Sequence, residues 1–188
     1  MNFLAHLWLA ERAQLPLAGA ILGDVLRGAL PEAMPAPLAR SVQLHRRLDA
    51  ATDRHPHVVR AREHFTQGPR RYAGIVLDLV HDHALALDWP RYSAEPLQAF
   101  AARSGQAVAQ AAQWFAHAGE RTPAAEPFAQ LLLSYREPSG IEFAARRTAS
   151  RLREPQRLLN AMEGWQALLP TLRAGLPGLL ADLARVQD

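Results

Sequence analysis

Residues 70–89 read RRYAGIVLDLVHDHALALDW, a nearly unbroken apolar run into which Asp78, Asp82 and His83 are set. Its length and its Leu and Ala content predict one buried helix running to Trp89 and Pro90, with Gly68 and Pro69 marking its start. Asp78 and Asp82 stand four apart and share a helix face, while His83 is offset by about 100°. Carboxylates on an apolar face are costly to bury, and two neighbours repel unless protonated or bridged by a cation.

The same signal recurs upstream. Asn2 and His6 are four apart in MNFLAHLWLA, residues 1–10; Asp24 sits in GDVLRG, 23–28; His45 and Asp49 are four apart in LHRRLDAATDRHP, 44–56. Several such residues converging from separate helices suggest a shared cation, so the chain reads first as a helical metallohydrolase. With no cysteine in 188 residues, any metal is held by imidazole, carboxylate, amide and water. That ligand set admits manganese, magnesium, iron and zinc alike. Thr52 and Asp53 read as a helix-end cap and turn. The four tryptophans read as core or groove aromatics, and His117 as a surface or core-edge imidazole.

Helical periodicity extends over the rest of the chain. Helices are predicted over 2–14, 17–28, 38–52, from Pro56 past Phe65, 94–119, 127–136, 140–153, 155–165 and 171–187. PEAMPAP, residues 31–37, makes a proline-rich turn. No alternation long enough for a sheet and no internal repeat is present. The expectation is an all-α bundle forming a single domain over 1–188, with a metal-site half at about 1–90 and a helical half at 91–188.

All 21 basic residues are arginine, and the formal net charge is +3. Arg46 with Arg47, Arg60 with Arg62, and Arg70 with Arg71 lie close in sequence to the acidic and histidine positions, which suits an anionic substrate or acidic protein partner. Nucleic acid is disfavoured, since no interleaved aromatic and basic motif and no glycine-rich cradle occurs. His6, Glu11 and Arg12 break the opening apolar run, so it does not read as a signal peptide. No segment approaches the roughly 20 apolar residues of a membrane span; a cytoplasmic protein without membrane insertion is expected.

Together, MNFLAHLWLA, GDVLRG, LHRRLDAATDRHP and RRYAGIVLDLVHDHALALDW resemble the acyl carrier protein phosphodiesterases, a divergent branch of the HD-type metal-dependent phosphohydrolases. The resemblance covers the first half closely and the second mainly in length and helical character. It implies an HD-domain-like helical bundle that removes 4′-phosphopantetheine from holo-acyl carrier protein, with manganese as cofactor. The family pattern is matched at Asn2, His6, Asp24, His45, Arg46, Asp49, Asp78, Asp82 and His83. Trp8 stands where the family commonly has His, and His81 where an aromatic is usual; His81 reads as a surface or supporting histidine.

A phosphodiester is anionic and resists water, so such a site must activate a water and neutralise phosphoryl charge. Asp24, His45, Asp78 and Asp82 are the expected metal set. His6 or His83 would protonate the leaving serine oxygen, Asn2 would position water or phosphate, Arg46 would grip the phosphate, and Asp49 would orient a neighbour or bind the ion. Carrier proteins are acidic, giving Arg27, Arg47, Arg60, Arg62, Arg70 and Arg71 a use in docking. An apolar lining for the arm is sought at Leu4, Trp8, Ile21 and Tyr72. Two alternatives stay open: a phosphohydrolase of nucleotides or other small phosphoesters, and a non-catalytic helical module binding an acidic partner.

Overall fold

The computed structural model describes residues 2–66 and 69–186. Among the described residues there is no strand; eleven α-helices are linked by turns and three short 3₁₀ segments. Gly68 and the last predicted helical residue, Gln187, lie outside the described residues.

The helix that decides the fold, α5 (Ala73–Leu87), is buried along most of its circumference, from Val76 through Ala86, as its all-round apolar sequence requires. It packs against α1 (Phe3–Arg12), α4 (Pro56–Arg62), α9 (Pro138–Ala149) and α11 (Leu169–Leu183). Helix α1 is equally enclosed from Leu4 to Ala10, so His6 is carried on a core helix rather than a mobile surface one. At the far end of α5, Asp88 accepts a two-pronged ion pair from Arg173 of α11, at 2.6 and 2.5 Å.

Helices α2 (Leu17–Val25) and α3 (Ala36–Arg54) pair closely along two glycines. A Cβ on Gly19 would stand 2.3 Å from the Ser41 Cβ, and one on Gly23 2.3 Å from the His45 ring. These two bare positions, four apart on one face, let α3 press the His45 imidazole against the α2 backbone beside Asp24.

Several boundaries differ from the sequence expectation: α4 ends at Arg62 instead of running past Phe65, and the helix from Pro155 ends at Ala161, short of Trp165. Helix α2 stops at Val25 rather than at residue 28, because Leu26 turns extended and the Arg46 guanidinium takes over two carbonyls beyond the helix, Leu26 O at 2.7 Å and Gly28 O at 2.8 Å. The predicted helix over 94–119 is two, α6 (Leu97–Gln110) and α7 (Ala112–His117), broken at Ala111. No proline or glycine marks that break; the turn brings Phe115, 1% exposed, into the core beside α2. The remaining helices are α8 (Ala125–Ser134) and α10 (Pro155–Ala161), and the expected break at Pro56 separates α3 from α4. No helix among the described residues is long and apolar enough to cross a membrane.

Candidate metal centre and active site

Three helices bring imidazole and carboxylate groups together at one end of the α1–α2–α3 contact. His6 Nε2 of α1 lies 2.9 Å from Asp49 Oδ1, and His45 Nε2 of α3 lies 3.1 Å from Oδ2 of the same carboxylate. Asp24 Oδ1, from α2, is 3.4 Å from His45 Nε2. The two imidazoles stack with centroids 4.0 Å apart. Ligand atoms of His6, His45 and Asp49 all lie within 4.8 Å of one another.

The histidines are almost wholly buried, whereas the Asp49 and Asp24 carboxylates are about half exposed. Burial holds His6 below the usual imidazole range and therefore neutral, the protonation state that ligates a metal. For His45 burial acts the same way but is outweighed by Asp24 and Asp49, which raise it to about 9. Asp49 is correspondingly held well below the usual carboxylate range: burial opposes this, and the two imidazoles overcome it.

The donor set fits a divalent cation on an independent observation. Both ring nitrogens of His6 and Nδ1 of His45 are buried with no hydrogen-bond partner; the close His6–Asp49 approach is not aligned as a hydrogen bond. Buried polar atoms are normally satisfied, and imidazole nitrogens facing a carboxylate are what a cation satisfies. In front of the cluster is a cavity of about 320 Å³ lined by Asn2, Asp24, Asp49, Asp53, Asp78 and Thr148. Of its four carboxylates, Asp53 is paired with Arg62, and Asp24 and Asp49 face the His45 imidazole.

Of the residues expected at the site, Asn2, Asp24, Asp49 and Asp78 line this cavity and His6 and His45 back it. Asp82 and His83 are placed elsewhere. Asp82, fully buried, accepts from the amides of Leu4 at 2.6 Å and Ala5 at 3.2 Å, so it satisfies the open N-terminus of α1. Burial outweighs those amides and pushes its carboxyl up to about 7. His83 donates from Nδ1 to the Tyr135 carbonyl at 2.6 Å and packs edge-on against Trp165. Arg46 is turned toward the Leu26 and Gly28 carbonyls rather than the cavity. His81 is neither a surface nor a cavity group: it is fully buried beside His57, ring centroids 5.7 Å apart. Asp53, read as a turn residue, lines the cavity and pairs with Arg62.

Tyr135 was not singled out by sequence reasoning. Its buried hydroxyl accepts from Asn2 Nδ2 at 3.0 Å, fixing the amide at the cavity mouth from the end of α8. A lone tyrosine closing a short helix carries no sequence signal for such a role. Leu4, Trp8 and Tyr72 are core residues, whereas Ile21 lines a second cavity of about 530 Å³ that shares Asn2 and Asp24 with the first.

Comparison with known proteins matches residues 1–181 to the family model described as acyl carrier protein phosphodiesterase. Curated relatives with that name in Shigella boydii and Escherichia coli are each 45% identical over 101 residues, which is 53% of this chain and 52% of theirs. The matched stretch thus spans about half the length of the curated relatives. No solved structure matches the chain. The helical bundle, the histidine–carboxylate cluster on its first three helices and the match along nearly the whole sequence agree: the chain belongs to the acyl carrier protein phosphodiesterase family.

Proposed function

We propose that this protein hydrolyses the phosphodiester joining 4′-phosphopantetheine to the serine of holo-acyl carrier protein, with a divalent cation held by His6, His45 and Asp49. The observation that carries this reading is the pair of buried imidazoles with orphaned nitrogens behind a cavity walled by carboxylates, in a chain of this family. A cation bound there would supply positive charge to the phosphoryl oxygens and acidify a water. Manganese is the cation the family resemblance implies.

The chain's own groups divide the remaining work. Asp24, beside His45, completes the anionic side of the ligand set and holds the imidazole in orientation. Asp78, on α5 at the cavity wall, takes the proton of the attacking water as its oxygen bonds to phosphorus, and returns it to the serine oxygen as the phosphorus–serine oxygen bond breaks. Asn2, steadied by Tyr135, presents its amide to the phosphate. The Gly23 contact keeps the His45 ring from swinging, so the site is organised before substrate arrives.

The test is the intact mass of holo-acyl carrier protein incubated with this protein, with Mn(II) and with chelator in parallel. Metal-dependent loss of the phosphopantetheine mass supports the reading. An unchanged carrier together with hydrolysis of nucleotides or another small phosphoester overturns it.

A further inference from the structure

Among the described residues, two cavities that share lining residues with the acidic one offer a substrate room to extend. The smaller, about 130 Å³, lies against Tyr135 and Thr148 and falls well below the roughly 300–1,000 Å³ of small-molecule sites. The larger, about 530 Å³, falls within that range. It runs from Asn2 and Asp24 between α2, the segment entering α8, and α9. Its floor is apolar: Ile21, Phe115, and the tilted pair Phe3 and Phe128 with centroids 5.7 Å apart. Its rim carries exposed Arg27, Arg121, Arg147 and Arg151 against two carboxylates, Glu120 and, at the end shared with the acidic cavity, Asp24.

From this continuity we infer that the larger groove seats the pantetheine arm, an inference that rests on the reading above. With the phosphate at the carboxylate-walled cavity, the arm must leave past Asn2 and Asp24, and only one of the two neighbouring cavities has room for it. The arm is an extended chain with a gem-dimethyl group and two amides, so it needs apolar floor and polar edges side by side, and the groove offers both. Arg147 and Arg151 flank Thr148, which lines the acidic cavity itself, and so stand where the protein end of the substrate emerges. An acidic carrier is drawn to that rim while its arm lies along the aromatic floor.

The test uses Ala124→Trp, at an exposed position on the groove wall that precedes α8, together with wild type. Expected is a loss of about tenfold or more in kcat/KM for holo-acyl carrier protein, carried mainly by KM, with Mn(II) affinity and melting temperature as in wild type. Free pantetheine is expected to inhibit the wild type competitively and to lose that effect in the variant. Unaltered kcat/KM in a folded Ala124→Trp protein, or failure of pantetheine to compete, overturns the groove assignment while leaving the phosphodiesterase reading intact. Absence of carrier cleavage by the wild type itself overturns the reading, and the groove assignment with it.

Discussion

Asp78 and Asp82 are one helical turn apart on α5, yet one lines the cavity and the other holds the first amides of α1. Replacing Asp82 with Asn leaves one acceptor oxygen for the two amides it now caps. The expected outcome is a lower melting temperature, by the equivalent of about 1–3 kcal/mol, with Mn(II) affinity in the folded protein little changed. Asp49→Asn reverses the pattern: Mn(II) binding by titration calorimetry falls at least about tenfold while the fold is kept. Equal metal affinity in wild type and Asp49→Asn sinks the proposed ligand set. Spacing put Asp78 and Asp82 on one face correctly, but spacing is blind to what lies opposite. A neighbouring helix end absorbs one carboxylate, and only the tertiary packing of α1 on α5 reveals it.

At the level of elements, the helices were legible wherever proline and apolar periodicity coincided, as at the Pro56 break and along α5. The split between α6 and α7 was not, because Ala111 is a good helix former and the turn there is enforced by burial of Phe115. Equally hidden was the use of Gly23, which reads as an ordinary small residue beside Asp24. Because its missing side chain makes room for the His45 ring, Gly23→Ala is expected to move the imidazole. The variant should lose about 1–3 kcal/mol of stability and bind Mn(II) more weakly. Wild-type metal affinity in this variant would mean that the helix pair yields instead of the ring.

Across the whole molecule, the joint between α4, α5 and α11 holds His55, His57 and His81. His55 meets Asp182 of α11 at 3.2 Å, and His57 packs against both His81 and Gly175. Burial, reinforced by His57, pushes His81 down to about 3, so the native state refuses a proton that the unfolded chain accepts near 6.5. Stability from this group is complete above about pH 6.5 and is lost as pH falls toward 3, about 2 kcal/mol of it by pH 5. Urea midpoints across that range should therefore drop steeply, and His81→Met should flatten the drop; an identical pH profile in the variant would assign the acid sensitivity to other groups.

The sequence distance spanned by the site has its own consequence. Asn2 is fixed by Tyr135 across 133 residues, and the start of α1 is closed by Asp82 across 78. Contacts of such high order close large loops and form late, after local helices are in place. A nascent chain that has not yet delivered α8 therefore holds its Asn2 amide without its tyrosine partner, and the cavity is completed as one of the last events of folding rather than with the N-terminal helices that carry the His6, His45 and Asp49 cluster.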